Sequence, residues 1–395
     1  MKVALLTKEF PPDVYGGAGV HVEHLSVELA SLVDLKVHCF GEPRRSHLVA
    51  AAYQPWAALA SDDHASALQT ISVDLRMAQA VAGSDVVHSH TWYANLGGHL
   101  AKLLHQIPHV ATAHSLEPLR PWKAEQLGAG YAVSLFCERT ALEGADAVIA
   151  VSEAMRSDIL SAYPAVDSDR VVVIYNGVDP REYRPDPRTD ALEELGIDPR
   201  RPSVVFVGRV TRQKGILHLL EAARSIDPAA QLVLCAGAPD TPAIGAEVGG
   251  RVAKLRQSRD GVVWIERMLP RATVIQILSH ATVFVCPSSY EPFGLVNVEA
   301  MACEAAVVAT ATGGIPEIVV EGETGYLVPL NAADEASPEG SDRFARELAW
   351  RVNELLADPE TAVRLGQAGR RRVLEHFSWP VIAEETVSLY RRMLR

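Results

Sequence analysis

Short apolar runs recur along this chain, each followed by a polar or glycine-rich turn and then by residues at helical spacing. In the first half the runs are Val3 to Leu6, Leu35 to Phe40, Asp85 to His88, His109 to Ala113, Ala145 to Val151 and Val171 to Tyr175. A second series follows at Ser203 to Val207, Gln231 to Ala236, Val262 to Ile265, Thr282 to Cys286 and Ala305 to Ala309. Runs this short and this apolar predict parallel strands buried on both faces, and the segments between them are long enough for crossover helices. The α/β alternation therefore predicts two doubly wound parallel sheets. Between them lies Asn176 to Pro187, dense in proline, glycine and charge, which reads as a linker. The expected divisions are 1–180, 181–375 and a last helix, 376–395, that follows a break at Ser378-Trp379-Pro380 and crosses back to the first domain.

Open α/β sheets bind ligands beyond the carboxyl ends of their strands, so the residues just after each run carry the functional interest. After Thr282 to Cys286 comes Glu291-Pro292-Phe293-Gly294-Leu295-Val296-Asn297-Val298-Glu299, with seven residues between two glutamates. A helix starting near Gly294 turns unpaired N–H groups and the positive end of its dipole toward an anion. By composition alone the two glutamates read equally as a helix cap and a solvated face. After Ser203 to Val207 come Arg209 and Lys214, a planar fork and a point charge in one loop, which suit a diphosphate. The stretch Trp264 to Pro270, with Met268, is placed to meet a nucleotide base.

In the first half, Val3 to Leu6 leads through Glu9-Phe10-Pro11-Pro12-Asp13-Val14-Tyr15-Gly16-Gly17 into a helix. The glycines allow a close backbone approach to phosphate. The spacing is neither G-x-G-x-x-G nor a P-loop, and a plain tight turn fits as well. His88 and His90 read either as satisfied structural groups or as a metal pair, but no neighbouring Asp, Glu or Cys completes a metal site. His114 opens Ser115-Leu116-Glu117-Pro118-Leu119-Arg120-Pro121-Trp122-Lys123, a loop that suits a sugar or phosphate better than a core. The turn Thr312-Gly313-Gly314 reads as a ligand cover or as structure.

Composition narrows the field. At 395 residues with 48% hydrophobic and 22% charged residues, the chain is an ordinary two-domain globular protein. A formal charge of -12 argues against a nucleic-acid binder. No apolar run is long enough to span a membrane. The scattered Cys39, Cys137, Cys235, Cys286 and Cys303 read as buried thiols in a reducing cytoplasm.

These features resemble the retaining nucleotide-sugar glycosyltransferases of family 4, which have the GT-B fold of two Rossmann-like domains facing across a cleft. Ser288 to Leu295 with Glu299, and Gly208-Arg209-Val210 with Lys214-Gly215, carry the likeness most specifically. Thr112 to Lys123 looks like the actinobacterial glycogen synthase branch, which includes α-maltose-1-phosphate synthases. The resemblance implies Arg209 and Lys214 on the donor diphosphate, Glu291 on the donor sugar and Glu299 on the ribose. It puts the N–H groups of Phe293, Gly294 and Leu295 at the phosphate or sugar, Gly16 and Gly17 over the diphosphate, and His114 near the sugar.

His114, Arg209, Lys214 and Glu291 are the catalytic candidates. Acceptor-side candidates are Asp13, Tyr15, Tyr93, Lys123 and Arg156, with Lys8, Arg120 and Arg139 as further basic groups. The implied donor is ADP-glucose and the implied acceptor glucose 1-phosphate, with an α-1,4-glucan as the alternative. No metal or other cofactor is implied, and a homodimer is compatible. A nucleotide-sugar epimerase shares the fold and remains a more distant reading; a catalytically silent sugar-nucleotide binder is disfavoured by the intact charged residues. One departure stands out: Cys303-Glu304-Ala305-Ala306 replaces the family's Cys-Gly-x-Pro, so the turn before the next strand is expected to differ.

Overall fold

A computed structural model of the chain describes residues 1–59, 65–121, 123–237, 239–331 and 337–395. They form two compact units, Met1–Gly177 with Trp379–Arg395, and Val178–Ser378. The first contains β1 (Lys2–Thr7), β2 (Asp34–Phe40), β3 (Val49–Tyr53), β4 (Val86–His90), β5 (His109–Ala113), β6 (Ala147–Ala150) and β7 (Val171–Val173). Their spatial order is β3-β2-β1-β4-β5-β6-β7. The second contains β8 (Ser203–Arg209), β9 (Gln231–Gly237), β10 (Val262–Ile265), β11 (Val283–Cys286), β12 (Ala306–Thr310) and β13 (Gly325–Val328), ordered β10-β9-β8-β11-β12-β13. All pairings in both sheets are parallel.

The central strands are Val-rich and buried on both faces: Val204, Phe206, Val283 and Val285 join one core with Leu219, Val248 and Leu348. Stiff β-branched side chains fit this pleated, covered surface. In the first unit, the last helix, Trp379–Met393, sets Trp379, Ile382, Val387 and Tyr390 into a core with Val22, Leu25 and Leu29 of helix Gly17–Leu32. Fully burying each such side chain contributes roughly 1.5–3 kcal/mol, which ties the end of the chain to its beginning.

Two strands escape the apolar-run reading. β3 is the half-exposed stretch Val49-Ala50-Ala51-Ala52-Tyr53, and β13 is Gly325-Tyr326-Leu327-Val328; both are edge strands with little apolar contrast. The C-terminal helical region also breaks at Asp358, which caps helix Pro359–His376 through Thr361 N–H. All five cysteines are buried and free. Among the described residues, no helix is long and apolar enough to cross a membrane.

The anomalous turn at Glu304 keeps its glycine-like shape. Helix Leu295–Ala302 ends with Glu304 N–H donating to Met301 O at 3.0 Å and Ala305 N–H to Ala300 O at 3.0 Å. This is a Schellman arrangement, whose key residue is left-handed and usually glycine. Glu304 adopts φ +64 all the same. A left-handed L-residue costs roughly 1–2 kcal/mol, while glycine's extra unfolded-state freedom costs roughly 0.5–1 kcal/mol. Glu304→Gly is therefore expected to stabilise the protein by about 0.5–1 kcal/mol. A urea titration would show a raised midpoint at constant slope; an unchanged or lowered midpoint contradicts the strain argument.

Candidate active site

In the second unit the strand order reverses between β8 and β11, the place where an open sheet leaves a crevice at its carboxyl edge. The loops after these two strands are laced together. Ser289 N–H donates to Gln213 O at 2.9 Å, and Gln213 Nε2 donates to Tyr290 O at 3.0 Å. Gly215 stands at φ +64, where a Cβ would run into the Pro287 carbonyl, so only glycine allows this approach. The result is that Lys214 Nζ donates to Glu291 Oε2 at 2.7 Å, and Ser288 Oγ donates to the same oxygen at 3.1 Å.

Glu291 is only 7% exposed. Burial alone lowers the Lys214 pKa, but the neighbouring Glu291 charge and hydrogen bond outweigh it, holding the ammonium above the usual lysine value. Gly313, at φ +52, packs against the Glu291 carbonyl, which accepts Gly314 N–H at 3.0 Å. The Gly-Gly turn thus buttresses the backbone of Glu291.

Other candidates in this unit have protein partners too. Arg209, the last residue of β8 rather than a loop residue, pairs its Nη1 with Asp240 Oδ1 at 2.7 Å. Phe293 and Gly294 are buried, Leu295 half-buried, and Gly294 caps helix Leu295–Ala302 with no side-chain hydrogen bond. Glu299 lies on the second turn of that helix and accepts the Tyr183 hydroxyl at 2.9 Å. Burial pushes its carboxyl up to about 7, against the lowering influence of Tyr183 and Arg271. Met268 is exposed and lines a pocket of about 370 Å³ with Leu195, Arg267 and Pro270.

The first unit has its own reversal, between β1 and β4. Beyond β1, Glu9 Oε2 accepts Tyr15 N–H at 2.7 Å and Gly16 N–H at 2.8 Å. A carboxylate of the chain thus occupies the Gly16 amide in the loop read as a phosphate cradle. Gly17 begins the following helix and is exposed, as is Tyr15. Asp13 pairs with Arg44 at 2.7 Å. Lys8 Nζ sits 3.7 Å from the centre of the half-buried Tyr93 ring, and burial lowers its pKa.

Past β4 and β5 the histidines separate by role. His88 spends both nitrogens, Nδ1 with Tyr390 Oη at 2.6 Å and Nε2 with Thr112 Oγ1 at 2.7 Å, so it is a structural group. His90 instead meets His114, Nδ1 to Nε2 at 3.1 Å.

In the loop after His114, read as suited to a sugar or phosphate, two residues turn inward. Leu116 and Glu117 are buried; Glu117 N–H donates to Glu138 Oε1 at 2.9 Å, and Ser134 Oγ donates to Glu117 Oε2 at 2.8 Å. Lys123 opens helix Lys123–Leu127, and Trp122 lies outside the described residues. Arg156 directs Nε to Val171 O and Nη2 to Ser168 O, both at 3.3 Å. Sequence reasoning assigned no role to Glu9, Asp240, Tyr183 or Ser288; their partners become visible only once the strand ends are placed together.

Two family profiles match this chain, the one described as Glycosyltransferase Family 4 over residues 15–182 and the one described as Glycosyl transferases group 1 over residues 187–372. The chain belongs to the family 4 glycosyltransferases of the GT-B fold. It is 54% identical over 396 aligned residues, covering all of both chains, to the α-maltose-1-phosphate synthases of Mycolicibacterium smegmatis and Mycobacterium tuberculosis. Among solved structures it is similar to the sucrose-phosphate synthase of Thermosynechococcus elongatus, with a TM-score of 0.78 and 28% identity over 99% of this chain and 98% of that one.

The raised Glu299 carboxyl generates a prediction. Its folded pKa, about 7, exceeds the ordinary glutamate value of 4.5, so between these two pH values the folded protein holds a proton that the unfolded chain has released. Stability from this group is present at acid pH and is lost as pH rises toward about 7, by at most about 3 kcal/mol. Glu299→Gln should flatten that part of the stability–pH profile. Identical slopes in wild type and variant would contradict the raised value.

Proposed function

We propose that this glycosyltransferase moves α-glucose from ADP-glucose onto glucose 1-phosphate, giving α-maltose 1-phosphate with the α-configuration retained. The full-length 54% identity to α-maltose-1-phosphate synthases is the observation that carries this reading. The Lys214–Glu291 pair at the strand-order reversal supports it chemically.

Lys214 and Arg209 take the diphosphate, exchanging part of their contact with Glu291 and Asp240 for phosphate oxygens. Glu291 and the amides of Phe293, Gly294 and Leu295 take the sugar and its phosphate, Glu299 the ribose, and Met268 the neighbourhood of the base. As the bond from glucose C1 to the diphosphate oxygen breaks, negative charge grows on the leaving group. Preorganised cations and N–H dipoles stabilise that charge more than they stabilise the ground state. The acceptor hydroxyl forms the new bond to C1 on the same face and gives its proton to the departing phosphate oxygen. Protein cations carry the charge compensation, so the scheme calls for no metal ion.

In the first unit, Gly16 and Gly17 serve the diphosphate once Glu9 yields the Gly16 amide, and His114 serves the sugar. Asp13, Tyr15, Tyr93 and Lys123 are placed on the acceptor. Arg156 is the weakest acceptor candidate, because its guanidinium is directed to backbone carbonyls.

Purified enzyme should be given ADP-glucose with glucose 1-phosphate or with glycogen, in separate reactions. The expected result is ADP release with a disaccharide phosphate in the first reaction, at least ten-fold faster than glucan elongation in the second. Elongation without the disaccharide phosphate would overturn the acceptor and identify a glucan synthase. Donor rearrangement with no acceptor would identify an epimerase.

A further inference from the structure

Three histidines from distant parts of the first unit converge beside its strand-order reversal. His21 comes from the buried face of helix Gly17–Leu32, His90 from the end of β4, and His114 from just past β5. Three ring nitrogens, one from each, lie within 4.8 Å of one another. His21 and His90 are 3% and 1% exposed, while His114 is half-buried. We propose that these three side chains form a binding site for a divalent transition-metal ion of the zinc class.

A hydrogen bond sets the His21 ring up as a ligand. His21 Nδ1 donates to the Asn176 amide oxygen at 2.7 Å, which leaves the lone pair on Nε2. That Nε2, and Nε2 of His90, are buried and have no hydrogen-bond partner among the described residues. A buried imidazole with one nitrogen anchored to an amide oxygen and the other unpartnered is the arrangement in which outer-shell groups orient metal ligands. His88 is excluded because both its nitrogens are used.

Burial holds all three rings neutral, His21 down to about 4 and the other two well below the usual histidine value, and neutral imidazole is the form that binds metal. Three nitrogens and no carboxylate suit zinc, nickel or copper rather than magnesium or calcium. Zn–N bonds of about 2.0–2.1 Å would draw the nitrogens to roughly 3.4 Å apart, a change small enough for ring rotations. The half-buried side at His114 leaves room for water as a fourth ligand. Metal binding would also replace the His90–His114 hydrogen bond and occupy the His114 ring, keeping it from any substrate. That inhibitory consequence rests on the proposed sugar contact of His114, whereas metal binding itself does not.

The test uses untagged, chelator-stripped, full-length protein titrated with Co²⁺ and then Zn²⁺, read by visible absorption. One equivalent of Co²⁺ should give tetrahedral bands that Zn²⁺ abolishes. His114→Asn should weaken binding at least ten-fold, while replacement of the exposed His376 should leave it unchanged. X-ray absorption of the zinc-loaded wild type needs no variant and should report imidazole nitrogens. Failure to bind one equivalent, a sulfur shell from the cysteines, or unchanged affinity in His114→Asn would overturn the site. If binding holds but activity persists in the loaded protein, the sugar contact of His114 is wrong and the metal site stands.

Discussion

The second unit is organised around one ion pair. Lys214 and Glu291 meet at 2.7 Å because β8 and β11 are neighbours although 73 residues of chain separate the two strands, and because Gly215 lets their loops touch. Glu291 holds the Lys214 ammonium charged inside a crevice where a lone cation would be costly to bury. Ser288, Gly314 and the Gln213–Tyr290 contacts then fix the pair's position. The cation is thereby half-buried and held in place, the preorganisation that the proposed diphosphate contact calls for.

Carboxylates satisfy other charged and amide groups in the same way. Asp240 holds Arg209, and Glu9 fills the amides of Tyr15 and Gly16. Arg209 and the Gly16 amide are groups to which the proposed function assigns phosphate oxygens. A carboxylate offers an oxygen and a negative charge of the same kind, so it satisfies donors that a nucleotide sugar would also use. Exchange between the two anions is then closer to neutral in energy than burial of bare cations.

Much of this was legible in the sequence. Val-rich runs such as Ser203 to Val207 fit a covered parallel sheet, and open α/β sheets bind ligands beyond their carboxyl ends, so Arg209, Lys214 and Glu291 were nameable as candidates one by one. Their pairing was not, since it depends on which strands become neighbours. The same reason hid the histidine cluster: His21 sits among Val22, Leu25 and Leu29 as an unremarkable helix residue until β1, β4 and β5 bring it to His90 and His114. Glu117 misled because polarity was taken for exposure; its burial is permitted by Ser134 and by the protonation-prone Glu138, whose carboxyl burial pushes up to about 8. Ala50-Ala51-Ala52 lacked the apolar contrast that marks an edge strand.

The central claim is that Lys214, charged and held by Glu291, is the station for the donor's diphosphate. Calorimetric titration of ADP and of AMP into wild type and Lys214→Gln tests it most directly, because the two ligands differ by one phosphate and the variant keeps a hydrogen-bond donor while losing the charge. Wild type should prefer ADP by at least ten-fold, about 1.4 kcal/mol, and the variant should bind the two within about three-fold of each other. An ADP preference that survives in a folded Lys214→Gln protein would contradict the account.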